Sequence, residues 1–329
     1  MAADPGPTHP PQHPVLVVGG PTASGKSGLA LALADRADGV VINADSMQVY
    51  ADLRVITARP SPADEAAAPH ALYGIVPASM RMSAARWRQR ALAEIDAAHA
   101  AGRLPIVVGG TGLYLRSLMQ GLSDIPDIPA DVRQAAMDLQ AAIGSPALHA
   151  RLASIDPVTA ARLHPTDSQR LIRAWEVMQA TGRPISAWQA DPPRDVPAHL
   201  SFTTLVVEPP RAVLYARCDR RFLAMLEQGA EQEVAALLGQ KLDPALPAMK
   251  ALGVPEIAAL IEGRMDRATA TATAQQLTRN YAKRQMTWFR NQMPAALRLD
   301  AMELASGTAF TKFYDRIMAD MTKNITKMG

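Results

Sequence analysis

An apolar run, Val15-Leu16-Val17-Val18, leads directly into Gly20-Pro21-Thr22-Ala23-Ser24-Gly25-Lys26-Ser27, and this pairing restricts the fold more than any other part of the chain. The octapeptide satisfies G-x-x-x-x-G-K-[ST], a loop between a buried strand and a helix whose backbone N–H groups converge on phosphate. Its glycines permit the tight turn, and the helix starting near Lys26 adds its positive dipole end. Lys26 neutralises phosphate charge, and the Ser27 hydroxyl can hold Mg²⁺. Gly20, Pro21, Thr22, Ala23, Ser24, Gly25, Lys26 and Ser27 are therefore expected to bind a di- or triphosphate.

The order of elements around this loop sets the fold class. Residues 27–37 read as a helix stopped at Asp38-Gly39, and 40–44 as a second buried strand. Strand, loop, helix, strand is the start of a parallel α/β sheet. Residues 81–101 are helical in composition, 104–108 form a third buried strand ending in Gly109-Gly110-Thr111-Gly112, and 205–207 supply a late strand. Residues 121–199 show no strand pattern, several Ala-rich helical patterns, and turn signals at Asp156-Pro157, His164-Pro165 and Gly182-Arg183-Pro184. The expectation is an α/β P-loop core, a parallel sheet flanked by helices, with a mostly helical insertion domain. The core takes 15–120 and 200–300, the insertion 121–199, and a C-terminal extension 301–329; residues 1–14, with five prolines, form a disordered or extended tail.

Composition removes several alternatives. The single cysteine, Cys218, excludes an internal disulfide and a cysteine-built zinc site within one chain. No apolar run approaches the roughly 20 residues that cross a bilayer, and the N-terminus lacks the order of a signal peptide, so a cytoplasmic location without a membrane partner is expected. Net charge is only +3, yet residues 268–299 contain no acid and carry Arg279, Lys283, Arg284, Arg290 and Arg298.

In an open parallel sheet, ligand-handling groups collect beyond the carboxyl ends of the strands. The second strand ends at Asp45, within Asp45-Ser46-Met47-Gln48-Val49-Tyr50, which makes Asp45 a candidate general base; a loop cap or a holder of metal-bound water is the competing role. The third strand ends without the carboxylate of many ATPases, which favours a phosphate-handling transferase or a small kinase. Thr111 on its glycine-rich turn is a candidate phosphate contact or a plain turn residue. Arg217 and Arg221, four apart on one helical face with Arg220 beside them, suit a diphosphate clamp or a solvated basic face. Residues 278–290 mix aromatics with cations, which suits RNA; Tyr281, Arg284 and Trp288 also fit an amphipathic helix with aromatics in its core.

With these features in this order, the chain resembles the tRNA isopentenyltransferase family over about residues 15–290. The most specific pieces are the cradle octapeptide, Ala44 to Tyr50, Gly109 to Tyr114, His164 to Arg170 with Arg173-Ala174-Trp175-Glu176-Val177, and Tyr281-Ala282-Lys283-Arg284-Gln285. The resemblance implies transfer of a dimethylallyl group from dimethylallyl diphosphate to N6 of the adenine 3′-adjacent to the tRNA anticodon, releasing diphosphate. It implies Asp45 as base, with Lys26, Thr111, Arg217 or Arg221, the cradle amides and Mg²⁺ on Ser27 stabilising the leaving diphosphate. It implies contact with the target base from Asp45, Ser46, Met47 and Gln48, and with the anticodon stem-loop from Thr111, Arg133, Gln169, Arg170, Leu171, Ile172, Arg173, Lys250, Lys283 and Arg284. The enzyme is expected to act as a monomer.

The chain departs from the family pattern at Gly253-Val254-Pro255-Glu256, where Gly-Tyr-Arg-Gln is usual, at Val55-Ile56-Thr57-Ala58-Arg59-Pro60, where Ile-Gly-Thr-Ala-Lys-Pro is usual, and at Trp175 for Leu. Three rivals stand beside this reading: an adenylate isopentenyltransferase, a small-molecule P-loop kinase and a non-catalytic RNA-binding module. The kinase leaves the helical insertion and residues 278–290 without a role, and the free-nucleotide enzyme has less use for Arg133 and residues 169–173.

Overall fold

The computed structural model describes residues 13–193, 195–300 and 307–326. Six strands, β1 (His13–Gly19), β2 (Gly39–Asn43), β3 (His70–Ala71), β4 (Leu104–Gly109), β5 (Leu200–Val207) and β6 (Leu297–Leu299), form one sheet in the order β3-β2-β4-β1-β5-β6. Every pairing is parallel. The chain fills the sheet on one side of β1 before returning to the other, so β1 stands at the switch point, where open α/β sheets bind ligands.

Alternation along β1 builds two cores. Val15 and Val17 join one apolar cluster, Leu16 and Val18 the other, as a strand buried on both faces requires. The chain's helices are α1 (Lys26–Ala37), α2 (Pro62–Ala67), α3 (Ala84–Ala100), α4 (Gly112–Gln120), α5 (Ala130–Ile143), α6 (Ser145–Ile155), α7 (Pro157–Arg162), α8 (Ser168–Thr181), α9 (Ile185–Ala190), α10 (Arg211–Glu227), α11 (Ala230–Gly239), α12 (Val254–Ile261), α13 (Arg267–Gln292) and α14 (Gly307–Thr326). Helices α3, α4 and α10 to α13 cover the first core with Trp87, Leu118, Phe222, Leu237, Ile257 and Phe289. Helices α1 and α14 cover the second with Leu33, Ile317 and Met321.

By contacts the chain forms two compact units, one from Met1–Met119 and Pro197–Gly329 and the other from Gln120–Val196. The second unit has its own core of Leu148, Leu152, Leu171, Ala174 and Val177. Buried Asp156 knits it, accepting from the Thr159 N–H at 3.0 Å, as the cap of α7, and from the Ser186 N–H at 3.1 Å in α9.

Several sequence boundaries move. β1 begins at His13, whose N–H donates to the His199 carbonyl at 2.8 Å, so residues 13–14 belong to the sheet; the rest of the expected tail lies outside the described residues. β5 is longer than 205–207 because its first half, partly exposed Phe202, Thr203 and Thr204, carries no apolar run to announce it. β3 and β6, of two and three residues, are too short to show a period. Helix α3 starts at Ala84 rather than 81 because the Ser83 side chain caps it, accepting from the Arg86 N–H at 3.2 Å. Part of the expected C-terminal extension, α14, packs as a layer of the core; residues 301–306 and 327–329 lie outside the described residues.

The crossing of β2 and β4 at their carboxyl ends leaves no room for a side chain. A Cβ on Gly109 would lie 2.1 Å from the Ala44 carbonyl oxygen, a backbone atom that cannot swing aside. Gly109→Ala is predicted to destabilise the protein by about 3 kcal/mol or more through overpacking, read as a lower urea midpoint; an unchanged midpoint would show that the strand ends have slack.

Candidate active site

The cradle turns through backbone that its own bonds and its neighbours fix: the Ser24 N–H donates to the Pro21 carbonyl at 3.3 Å and the Thr22 N–H to Gln285 Oε1 at 2.8 Å. Gly20 and Gly25 have φ of 154° and 97°, and between them Ala23 sits at 61°, left-handed backbone that a non-glycine residue rarely adopts. Gly25 is the N-cap of α1, so the dipole of that helix is directed into the loop. Lys26 Nζ donates to the Pro21 carbonyl at 3.2 Å, folding its ammonium back over the cradle. Burial lowers its pKa to about 8, with the Asp45 charge opposing and Arg221 reinforcing that shift. Ser27 is exposed on the first turn of α1.

Helix α10 separates the two candidate arginines. Arg217 donates to the Ser24 carbonyl at 3.2 Å and braces the loop's backbone. Arg221 donates to Thr22 Oγ1 and lines a cavity of about 310 Å³. Burial lowers the pKa of Arg221, against the stabilising pull of Asp45. A guanidinium desolvated in this way is a strong partner for an anion.

Asp45 faces the same cavity. Its loop is fixed by short bonds: the Asp45 N–H donates to Asn43 Oδ1 at 2.8 Å, the Met47 N–H to Asp45 Oδ1 at 2.9 Å, and the Ser46 N–H to Thr111 Oγ1 at 2.9 Å. Thr111 in turn donates to Ser46 Oγ at 3.2 Å, tying the turn after β4 to the Asp45 loop. One Asp45 oxygen therefore caps its own loop, while the carboxylate remains on the cavity wall. Buried Asn43 donates to the carbonyls of Asp45 and Leu72 at 3.1 and 3.0 Å, fixing the strand end that carries the carboxylate.

The rest of the lining is mixed: Ile56, Phe222, Met225 and Leu252 supply apolar surface, and Thr57, Thr278, Tyr281, Arg284 and Lys250 supply polar and charged groups. Ile56 is set in place by Glu233 on α11, whose carboxylate accepts from the N–H groups of Arg54, Val55 and Ile56 at 2.7, 2.8 and 2.9 Å. Sequence reading passed over Glu233, because nothing in its spacing marks a carboxylate 177 residues from its partner.

Gln48 and two of the α13 aromatics have structural partners. Gln48 uses both amide protons on the carbonyls of Thr57 and Ala58, at 2.9 and 2.8 Å, and so organises the loop after Asp45. Phe289 is fully buried, and the rings of Phe289 and Trp288 lie where a Cβ on Gly19 or Gly112 would be, at 2.5 and 2.3 Å. Of the three aromatics in residues 278–290, only Tyr281 lines the cavity; the others pack because they fall on the face of α13 that meets the sheet ends. Burial and the Asp45 charge push the Tyr281 phenol upward, so it remains a neutral hydrogen-bonding group.

In the helical unit, Gln169 and Arg170 are exposed on the first turn of α8. Arg133 and Arg173 flank buried Glu176, with N–O distances of 3.3 and 2.6 Å, and remain partly exposed. Leu171 is buried in that unit's core and Ile172 packs against it, so Leu171 is a packing residue and not a surface contact. Lys250, Lys283 and Arg284 are exposed. In Gly253-Val254-Pro255-Glu256, Pro255 sits in the first turn of α12 and Glu256 accepts from the Gly253 N–H at 3.0 Å, capping the helix.

Mg²⁺ fits the donors in a limited way. Among the described residues no group of three His, Cys, Asp or Glu side chains is placed to hold a metal. Mg²⁺ commonly binds through one or two protein ligands plus substrate phosphates and waters, and the exposed Ser27 hydroxyl beside the cradle suits that mode.

The family model described as IPP transferase matches residues 48–292. A tRNA dimethylallyltransferase of Rhodospirillum centenum is 62% identical over 92% of this chain and 97% of its own length, and one of Rhodospirillum rubrum is 52% identical over 86% and 87%. The crystal structure of a tRNA isopentenylpyrophosphate transferase from Bacillus halodurans aligns with a TM-score of 0.69 at 31% identity, covering 95% of this chain and 98% of that one. A eukaryotic dimethylallyltransferase described as acting on tRNA aligns with a TM-score of 0.75 at 26% identity, over 91% and 77%. The chain belongs to the IPP transferase family.

Proposed function

We propose that this protein transfers a dimethylallyl group from dimethylallyl diphosphate to N6 of the adenine 3′-adjacent to the anticodon of tRNA, releasing diphosphate. The observation that carries this reading is one cavity with a cation, a carboxylate and an apolar wall: Arg221 with Thr22, Asp45, and Ile56 with Phe222, Met225 and Leu252. A short branched hydrocarbon joined to a polyanionic diphosphate suits a cavity lined by both a cation and apolar side chains.

Adenine N6 is a weak nucleophile because its lone pair is delocalised into the ring. As the bond from N6 to the allylic carbon forms, the bond from that carbon to the diphosphate oxygen breaks, and the oxygen leaves with the electron pair. Asp45 accepts the proton that N6 loses. Charge gathers on the diphosphate, where the cradle amides, Lys26 and Arg221 stabilise it, with Arg217 bracing the loop and Thr111 holding the turn beside Ser46. Mg²⁺ held by Ser27 would supply further neutralisation of the leaving group. The adenine must leave its stack to reach Asp45, Ser46 and Met47. Gln169, Arg170, Arg173, Arg133, Lys250, Lys283 and Arg284 supply exposed polar and basic surface for the anticodon stem-loop. No helix of the described residues is long and apolar enough to cross a membrane. A monomer acting on cytoplasmic tRNA completes the reading.

The test is incubation of the protein with Mg²⁺, dimethylallyl diphosphate and unmodified tRNA, followed by nucleoside mass spectrometry. Dimethylallyladenosine at the position 3′ of the anticodon is predicted; prenylated AMP, or consumption of ATP, would instead indicate the free-nucleotide enzyme or the kinase. Asp45→Asn is expected to lower kcat by about 10² to 10⁴ while tRNA affinity stays within threefold, and full activity would remove Asp45 from the chemistry. Lys26 gives a pH signature. With its pKa lowered to about 8, it is charged below that pH and loses its proton above it, so affinity for diphosphate should weaken by about tenfold per pH unit above 8, until the higher pKa of the bound state is reached. Calorimetry across pH 7 to 10 checks this, and Lys26→Met should flatten the alkaline arm.

A further inference from the structure

The cradle after β1 and the turn after β4 are tied together by one buried side chain that the proposed reaction leaves without a role. Gln285 on α13 accepts from the Thr22 N–H at 2.8 Å and donates to the Gly110 carbonyl at 2.9 Å. These partners are 263 and 175 residues away in sequence, and Gln285 itself is 5% exposed. It meets both with no slack: a Cβ on Gly110 would lie 2.2 Å from Gln285 Nε2. Thr22 belongs to the phosphate cradle and precedes Ala23, whose left-handed backbone persists only where its surroundings hold it. Gly110 precedes Thr111, whose hydroxyl fixes the Ser46 N–H next to Asp45. On either side of Gln285, Ala282 and Met286 pack with Ala23 and Cys218, so the same face of α13 grips the cradle sterically as well.

We infer that Gln285 is a positioning residue that sets the distance between the diphosphate cradle and the Asp45 loop. It acts through Thr22 on the leaving-group side and through Gly110 and Thr111 on the base side. By taking up the Thr22 N–H, it also fixes the peptide next to left-handed Ala23. The consequence is kinetic, since an in-line displacement needs the base, the nucleophile and the leaving group in one register, and a misplacement of about 1 Å can cost 10²-fold in rate.

This inference rests on the proposed transfer reaction, and its test separates the two. Gln285→Met removes both hydrogen bonds at similar volume; Gln285→Glu keeps the acceptor for Thr22 and loses the donor to Gly110. Kinetics with both substrates saturating are measured beside direct binding of dimethylallyl S-thiolodiphosphate, an unreactive analogue, and of tRNA. Gln285→Met is expected to lower kcat by about 10²-fold and to weaken the analogue severalfold, with tRNA affinity unchanged within twofold and Gln285→Glu falling between. A kcat within twofold of wild type, or a loss that appears wholly as weaker tRNA binding, overturns the inference. Should neither variant fold, hydrogen exchange of the wild-type segment 20–26 decides: slow exchange in the free protein supports the clamp and fast exchange overturns it. An inactive wild type counts against the transfer reaction, and analogue binding then still reports whether Gln285 holds the cradle.

Discussion

A phosphate loop with a non-glycine residue in left-handed backbone needs support from outside itself, and this constraint organises the rest of the molecule. The cradle between β1 and α1 keeps Ala23 in left-handed backbone, which costs on the order of 1–3 kcal/mol and survives only where neighbours over-determine it. Those neighbours are α10 and α13. Arg217 takes the Ser24 carbonyl, Arg221 the Thr22 hydroxyl and Gln285 the Thr22 N–H. The glycines at the ends of β1 and β4 let α13 come this close, since a side chain on Gly19, Gly110 or Gly112 would collide with Phe289, Gln285 or Trp288.

Once the cradle is held open, electrostatics divide the cavity. Lys26 and Arg221 are both partly stripped of water, and each is drawn toward its charged form by Asp45. Two desolvated cations and one carboxylate leave a net demand for an anion, which a diphosphate meets. Phe222, Met225 and Leu252 add apolar surface to the same cavity, and Glu233 sets Ile56 beside it by holding three successive amides.

The parts of this arrangement that were legible in sequence share a property: they are local. The cradle, the buried strands β1, β2 and β4, and Asp45 at the end of β2 are each written in a few consecutive residues. What the sequence hid is made by pairs far apart. Glu233 and Gln285 look like ordinary helix-surface residues until the fold places one under residues 54–56 and the other between β1 and β4. The mixture of aromatics and cations in residues 278–290 suited RNA as well as a helix with aromatics in its core, and only the packing of α13 reveals that Trp288 and Phe289 take the second role. Leu171 came with the stretch 169–173 that the resemblance implied and is buried in the helical unit's core, whereas Arg217 and Arg221, equivalent by spacing, are separated by what each touches: a backbone carbonyl of the cradle or the cavity.

The central claim is that the cradle serves a short prenyl diphosphate, and calorimetric titration of the free protein with dimethylallyl S-thiolodiphosphate, inorganic diphosphate and ATP tests it most directly. Burying a hydrocarbon gains about 0.8 kcal/mol per CH₂, so the prenyl analogue should bind at least tenfold more tightly than diphosphate alone, with ATP the weakest of the three. ATP binding as tightly as the prenyl analogue, or an analogue no better than diphosphate, would contradict the account.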